Sequence, residues 1–232
     1  MVDTSLWYAL GSIGMALGTS YAVWGNRTDD RGHGRYYLVL ALITGIATVA
    51  YAALALGLGR VPVDGAIFYV PRYVDWVLTT PLLVLYLAML GRPSKRTYAM
   101  LVVLDVTVIA SGTGAAFLPS PFGYLAYLFG VVAFLGILFL LLVVLPRQSA
   151  LDAHRPDAVF TKLRNLTVVL WSIYPLVWLL GPFGLGYLLV ETEAIVVTYL
   201  DLLAKVGFVV VAVNGRDALS DLSTRSSAEP AD

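Results

Sequence analysis

Residues 122–146 read FGYLAYLFGVVAFLGILFLLLVVLP and contain no charged side chain. This stretch is long enough to cross the hydrocarbon core of a bilayer, which takes about 20 helical residues. The whole chain has the same character: of its 232 residues, 59% are hydrophobic and 13% are charged, and its mean hydropathy is +0.82. Soluble domains carry about 25% charged residues. The sequence therefore predicts an integral membrane protein.

Similar apolar runs recur along the chain, separated by short polar or turn-forming segments. We predict an all-α, seven-transmembrane-helix bundle in which successive helices are antiparallel neighbours. The predicted spans are 4–25, 34–58, 70–91, 95–117, 122–146, 160–181 and 189–214. The loop 59–69 (GRVPVDGAIFY) has a turn-forming centre and is predicted to form a short β-ribbon. We take 1–216 as the seven-helix domain and 217–232, which is poor in large apolar residues, as a disordered cytoplasmic tail.

The distribution of charge predicts the orientation of the bundle. Most of the 15 Lys and Arg residues lie in or beside the loops of one side, which the positive-inside rule places in the cytoplasm. The N-terminus is then outside and the C-terminus inside a multi-pass protein of the cell membrane. Because 15 acidic residues balance the 15 basic ones, no surplus of positive charge indicates nucleic-acid binding. The chain has no cysteine, and His33 and His154 lie in polar loops, so we expect no metal site.

Five ionisable residues lie deep within the predicted spans: Arg72, Asp75, Asp105, Asp201 and Lys205. A charge in this position costs at least about 2.5–3.5 kcal/mol, so each is a candidate functional residue. Arg72 and Asp75 share a helical face, as do Asp201 and Lys205. One interpretation is a structural ion network that joins two helices. The other is a lysine that binds a carbonyl cofactor as a Schiff base, with carboxylates as counter-ions. The spacing leaves both open.

Aromatic residues form a stripe on the sixth predicted span. Trp171, Tyr174 and Trp178 recur at helical spacing, and Trp76 follows Asp75. Such a stripe usually packs the core, but a flat polyene bound to Lys205 would also need aromatic walls. Pro175 lies within the same span and is a candidate hinge.

Three segments resemble the motifs of one family, the microbial (type I) rhodopsins. They are 72–82 (RYVDWVLTTPL), 164–178 (RNLTVVLWSIYPLVW) and 199–208 (YLDLLAKVGF). The similarity extends over nearly the whole chain, to about residue 214, and the joint presence of three long motifs makes it specific.

The resemblance implies a role for each intramembrane charge. Lys205 would bind all-trans retinal as a protonated Schiff base, and Asp75 would be its primary counter-ion and proton acceptor. Asp201 would be the second counter-ion, Arg72 the extracellular partner of both aspartates, and Asp105 an uncharged residue near the ring of retinal. The implied retinal pocket comprises Tyr51, Trp76, Thr79, Thr80, Ile109, Gly112, Gly130, Phe134, Trp171, Tyr174 and Trp178.

Within that family, the chain is similar to the sensory rhodopsin II and middle rhodopsin subgroup of haloarchaea. Proton pumps of the family carry a carboxylate where this chain has Tyr86, and tyrosine, with a reference pKa of about 10, is a poor proton donor. Glu193 matches one of the two outer glutamates that release protons in the pumps, whereas Phe183 lies at the position of the other. The resemblance therefore implies a slow return to the resting state.

In this subgroup, a two-helix transducer in the lipid membrane binds the sixth and seventh helices. Tyr199 lies two residues before Asp201 and should point away from the pocket, towards such a partner. Sensory rhodopsin II proteins tend to have Thr or Ser immediately before the retinal lysine, where this chain has Ala204. The alternative assignment within the subgroup is therefore a middle rhodopsin. We expect a photoreceptor that signals to a transducer, and not an enzyme; the alternative is a slow light-driven proton pump. The sequence leaves self-association to an oligomer open.

Overall fold

The computed structural model describes residues 4–29, 32–148 and 154–215, with the backbone alone for 154–157. It contains the predicted antiparallel bundle of seven helices. The helices are α1 (Thr4–Arg27), α2 (Gly34–Ala55), α3 (Val70–Gly91), α4 (Lys95–Phe117), α5 (Phe122–Gln148), α6 (His154–Trp171 and Ile173–Leu180) and α7 (Val190–Asn214). The predicted tail, 217–232, lies outside the described residues.

Six of the helices in the described part of the chain, α2 to α7, are long and apolar enough to cross a membrane. The 24-residue α1 is as long as they are, but it carries more Gly, Ser, Thr and Tyr. It packs along α2 and α7. Ser12 donates a hydrogen bond to the Thr48 carbonyl at 3.0 Å, and the hydroxyls of Thr19 and Thr44 lie 3.0 Å apart. Such polar contacts between helices compensate for a lower hydropathy, because helices associate in lipid by close packing and hydrogen bonding.

The predicted β-ribbon is confirmed between α2 and α3. Strands β1 (Arg60–Val63) and β2 (Ala66–Tyr69) pair antiparallel, with Val63 opposite Ala66. Asp64 and Gly65 connect them with φ angles of 46° and 82°. Two positive φ values match the right-handed twist of the strands, and Asp-Gly is a favoured pair for that turn. Phe68 and Tyr69 are buried, so the hairpin closes one end of the bundle, which we call the hairpin end.

Two helix boundaries differ from the predicted spans by more than two residues. Helix α2 ends at Ala55 rather than at residue 58, and Gly57 takes a φ of +72°, a left-handed conformation that stops a helix. Helix α6 begins at His154, before the predicted residue 160. Its first turns contain mostly polar residues and extend beyond the hydrocarbon core. Hydropathy alone therefore does not predict them.

Three local distortions interrupt the membrane helices. The hydrogen bonding of α6 breaks at Ser172, since Pro175 has no N–H to donate to the Trp171 carbonyl. Helix α5 contains a π-helical segment at Leu140–Val144, and α7 contains one at Leu203–Gly207. The second holds Lys205. Single π turns in otherwise regular helices are frequent at functional sites.

Candidate functional site

The intramembrane charges of α3 and α7 form a buried cluster. Lys205 Nζ donates a hydrogen bond to Asp75 Oδ2 and lies 3.6 Å from Asp201 Oδ2. The exposed fraction of each of these three residues is 1% or less. Charges removed from water persist only when they are paired and hydrogen-bonded. The structure thus brings Lys205, Asp75 and Asp201 together, as the sequence analysis expected.

The surroundings of the two aspartates differ. Asp201 accepts hydrogen bonds from Tyr51 of α2 at 2.7 Å, from Tyr174 of α6 at 2.5 Å and from the Trp76 indole of α3 at 3.2 Å. Its negative charge is therefore shared among three donors.

Asp75 has no comparable set of donors. Its Oδ1 is buried and has no hydrogen-bond partner, and the nearby Thr79 hydroxyl donates to the Asp75 backbone carbonyl instead, at 2.8 Å. Lys205 is thus the principal partner of the Asp75 carboxylate.

Arg72 does not make the contacts that we expected. Its guanidinium donates to Glu193 Oε1 and to the Tyr8 hydroxyl, each at 3.0 Å. Among the ion pairs of the described residues, none joins Arg72 to Asp75 or Asp201. The sequence analysis expected Arg72 to be the extracellular partner of both aspartates; its long side chain extends to the hairpin end, where Glu193 and Tyr8 supply oxygen atoms. Tyr8 was missed because a tyrosine in an apolar run carries no distinct signal.

Asp105 of α4 contacts α3 through Thr80. The Thr80 hydroxyl lies 2.6 Å from Asp105 Oδ2 and 2.7 Å from the Trp76 carbonyl. One hydroxyl has one proton and cannot donate to both acceptors. If Thr80 donates to the carbonyl, the Asp105 carboxyl must be the donor to Thr80. This geometry supports the expectation that Asp105 is uncharged.

A cavity extends from Lys205 between α3, α4, α5, α6 and α7. Most of the expected pocket residues line it, namely Trp76, Thr80, Ile109, Gly112, Gly130, Phe134, Trp171, Tyr174 and Trp178. Tyr51 and Thr79 do not line it and act through the hydrogen bonds to Asp201 and Asp75 described above. A Cβ placed on Gly112 would meet no atom within 4 Å, so the cavity is open beside this glycine.

Further lining residues were not anticipated: Tyr73, Leu83, Val108, Tyr127, Val131, Ile137, Val177, Val197 and Ala204. Tyr127 stacks on Trp178, with ring centroids 4.8 Å apart and planes inclined by 14°, and its hydroxyl donates to the Pro175 carbonyl at 2.9 Å. Tyr127 is three residues before Gly130 and so lies on the same face of α5, a spacing that could have identified it.

The cavity fits a long, flat, apolar molecule that carries a carbonyl group at one end. Aromatic rings from α3 and α6 line its length, and the amine of Lys205 lies at one end beside two carboxylates. A primary amine condenses with a carbonyl, and the carboxylates stabilise the cation that results. Retinal has this chemistry, and the side chains present are those that such a ligand requires.

Tyr199 lies apart from the charge cluster. It is 64% exposed on the outer face of α7, as its position two residues before Asp201 predicted. It takes no part in the cavity.

Comparisons with known proteins agree with this geometry. The family model described as bacteriorhodopsin-like protein matches residues 3–219. Sensory rhodopsin-2 of Halobacterium salinarum is 45% identical over 225 residues, 97% of this chain and 94% of that protein. Sensory rhodopsin-2 of Natronomonas pharaonis is 39% identical over 219 residues, 94% of this chain and 92% of that protein.

Solved structures show the same fold. Thermophilic rhodopsin from Rubrobacter xylanophilus superposes with a TM-score of 0.91 and 37% sequence identity, covering 96% of this chain and 100% of that one. The family match extends over nearly all of the chain, and the sensory relatives span it almost completely. The chain therefore belongs to the bacteriorhodopsin-like family, and it is a multi-pass cell-membrane photoreceptor that binds retinal rather than an enzyme.

Proposed function

We propose that this photoreceptor is sensory, that Lys205 is the residue that binds retinal, and that Asp75 is the acceptor of the Lys205 proton. One observation carries the proposal: a fully buried lysine amine lies between two carboxylates at the end of an aromatic-lined cavity. Bound retinal supplies the absorption of visible light and the change of shape that follows it. The protein side chains supply the proton acceptor and the contacts that carry the signal.

The first protein event is the movement of a proton from Lys205 Nζ to Asp75 Oδ2. The two atoms are already hydrogen-bonded, so the transfer needs no rearrangement. It neutralises both partners of a buried ion pair at once. Asp201 keeps its charge, because Tyr51, Tyr174 and Trp76 continue to donate to it.

The resulting change in charge acts on the contact between α6 and α7. Tyr174 of α6 is bonded to Asp201 of α7, only one turn from Lys205. Helix α6 is interrupted at Ser172, close to this bond. A change in the charge pattern around Asp201 therefore acts on the weakest point of α6, and a tilt of α6 about Pro175 carries the signal outwards.

The receiver of the signal is a two-helix membrane transducer that binds the outer faces of α6 and α7. Large side chains are exposed on that surface: Tyr199 is 64% exposed, Val169 62% and Leu176 59%. A tyrosine deep in a span, at a position that faces outwards, suits a partner helix that can accept a hydrogen bond from its hydroxyl. The surface that we propose for docking consists of these three residues.

The alternative, a proton pump, turns over rapidly only with a strong proton donor on α3, on the side of Lys205 opposite to the hairpin end. Tyr86 occupies that part of α3, where its exposed fraction is 1% and its ring contacts those of Tyr36 and Phe208. A buried tyrosine releases a proton reluctantly, so pumping would be slow at best. A receptor has no need of rapid turnover, because a long-lived active state lengthens its signal.

Co-expression with a two-helix transducer of a sensory rhodopsin II tests the proposal. We expect cells to change their swimming in response to light, with little light-driven change in external pH. Tyr199→Ala should weaken copurification of the transducer, whereas Tyr124→Ala should not, since Tyr124 is also exposed but lies on α5. Strong light-driven acidification without a swimming response would establish the pump instead.

A further inference from the structure

A second buried polar cluster lies at the end of the bundle opposite the hairpin. His33, just before α2, is 5% exposed, and the side chain of Asp29 is 4% exposed. His33 Nδ1 lies 2.9 Å from Asp29 Oδ2, and the Tyr37 hydroxyl donates to the same oxygen at 3.0 Å. None of these three residues belongs to the retinal cavity or the ion cluster described above.

The two nitrogens of His33 have different surroundings. With Asp29 as acceptor, Nδ1 carries a hydrogen, which leaves Nε2 as the nitrogen that gains and loses a proton. Nε2 is buried and has no hydrogen-bond partner. An imidazole that is oriented by a carboxylate through one nitrogen and is open at the other is the arrangement of a general acid and base.

A line of aromatic rings leads from this histidine towards Lys205. The ring centroids of His33 and Tyr36 are 6.2 Å apart, those of Tyr36 and Tyr86 are 5.9 Å apart, and those of Tyr86 and Phe208 are 5.5 Å apart. Phe208 is three residues after Lys205 and so lies nearly one turn from it on α7.

The two tyrosines along this line are shielded from solvent. Tyr36 and Tyr86 are both buried, and the Tyr36 hydroxyl donates to the Met89 carbonyl at 3.3 Å. The line therefore contains polar hydroxyl groups up to Tyr86 and ends in an apolar step at Phe208.

Few other charges of the described residues reach the cluster. The Arg35 guanidinium lies over the Tyr36 ring, 5.3 Å from its centroid. Asp29 faces His33 from the end of α1, while Tyr36 and Tyr37 face it from α2. Asp30 and Arg31 are adjacent in sequence but lie outside the described residues.

We infer that the His33–Asp29 pair is the proton-uptake site through which a proton returns to Lys205 Nζ from the side opposite the hairpin. The inference rests on the proposed function, since it supplies the proton that Lys205 has given to Asp75. His33 releases its Nε2 proton towards Tyr36 and Tyr86, and one proton arrives at Lys205 Nζ. His33 then takes one proton from the aqueous phase at Nε2. The cycle closes when Asp75 gives the proton that it took from Lys205 to water, so one proton is taken up and one is released.

The pair suits this role because α3 offers no carboxylate donor. With Tyr86 in the inner part of the path, the group that exchanges protons with water has to lie farther out, and His33 is buried at the point where α2 begins. Asp29 holds Nδ1 and so fixes the orientation of the ring, which leaves Nε2 for the exchange of the proton.

Flash photolysis of His33→Asn measures this role directly. Asparagine retains an N–H for Asp29 but has no counterpart of Nε2. We expect recovery of the resting absorption to be about tenfold slower than in the parent. Azide, a diffusible proton carrier, should restore the rate in the variant.

His154→Asn is the matched control, since the chain has two histidines, and it should recover at the parental rate. Recovery of coloured His33→Asn at the parental rate would overturn the inference and leave the photoreceptor assignment intact. A parent that forms no pigment with retinal would instead refute the proposed function. If His33→Asn does not fold, Asp29→Asn must slow recovery; an unchanged rate of recovery would contradict the inference equally.

Discussion

Tyr174 of α6 donates a 2.5 Å hydrogen bond to Asp201 of α7. This bond joins the helix that is interrupted at Ser172 to the helix that carries Lys205. Asp201 thus belongs to two systems, the ion cluster around the lysine amine and the contact between α6 and α7.

Tyr174→Phe should lower the stability of the pigment. The variant removes one of three side-chain donors to Asp201, and a hydrogen bond to a charged group contributes about 1.5–3 kcal/mol. We expect thermal bleaching at a lower temperature than in the parent. Tyr127→Phe is the comparison variant, since its hydroxyl bonds to the neutral Pro175 carbonyl and its loss should cost less. Equal effects of the two variants would show that the charge on Asp201 does not govern this contact.

Asp75→Asn should shift the absorption maximum to the red, and by more than Asp201→Asn. A carboxylate beside the lysine nitrogen stabilises the positive charge of the ground state more than that of the excited state, so its removal narrows the energy gap. Asp75 is bonded to Lys205, whereas Asp201 is 3.6 Å away and shares its charge with three donors. Absorption spectra of the two variants decide the order. A larger shift in Asp201→Asn would make Asp201 the primary counter-ion.

Tyr86→Asp should accelerate the return to the resting state. It places a carboxyl group on α3 between Tyr36 and Phe208, where burial without a charged partner keeps the acid protonated and able to donate. Flash photolysis should show recovery at least tenfold faster than in the parent. Tyr86→Phe tests whether removal of the hydroxyl alone has this effect. If phenylalanine accelerates recovery as much as aspartate does, proton donation at this position is irrelevant.

Ala204→Thr should strengthen the coupling between the retinal site and the outer face of α6 and α7. Ala204 is buried in a cluster that includes Tyr174, so a hydroxyl at this position has a neighbouring partner. A buried neutral hydrogen bond contributes about 0.5–1.5 kcal/mol, and about 1.4 kcal/mol changes a two-state population tenfold. Phototactic responses with a sensory rhodopsin II transducer should therefore increase by up to about tenfold. Ala204→Val, which has a similar shape without the hydroxyl, should leave the response at the parental level.

The sequence predicted the bundle well because a spanning helix has a strong signal, an apolar run of fixed minimum length. The α2 boundary was misplaced because hydropathy does not register the positive φ of Gly57. The π-helical segment at Leu203–Gly207 has no composition that distinguishes it from regular helix. Both are determined by packing and backbone geometry, which a pattern of residue types does not encode.

Within the site, the ion cluster was predictable because charges in a membrane are costly and have to be paired. The partner of Arg72 was not, since Glu193 and Tyr8 reach it from α7 and α1 and neither lies in one of the motifs. The role of Tyr127 against Trp178 was also missed, because an aromatic residue in an apolar span faces lipid as readily as it faces a ligand.

The central claim is that Lys205 is the point of attachment of retinal, and the absorption spectrum of Lys205→Ala tests it most directly. The parent, purified with added all-trans retinal, should have a band in the visible region that disappears in this variant. Lys95→Ala, at the start of α4, should keep the band and so exclude a general effect of lysine loss. A visible band that survives in Lys205→Ala would contradict the account.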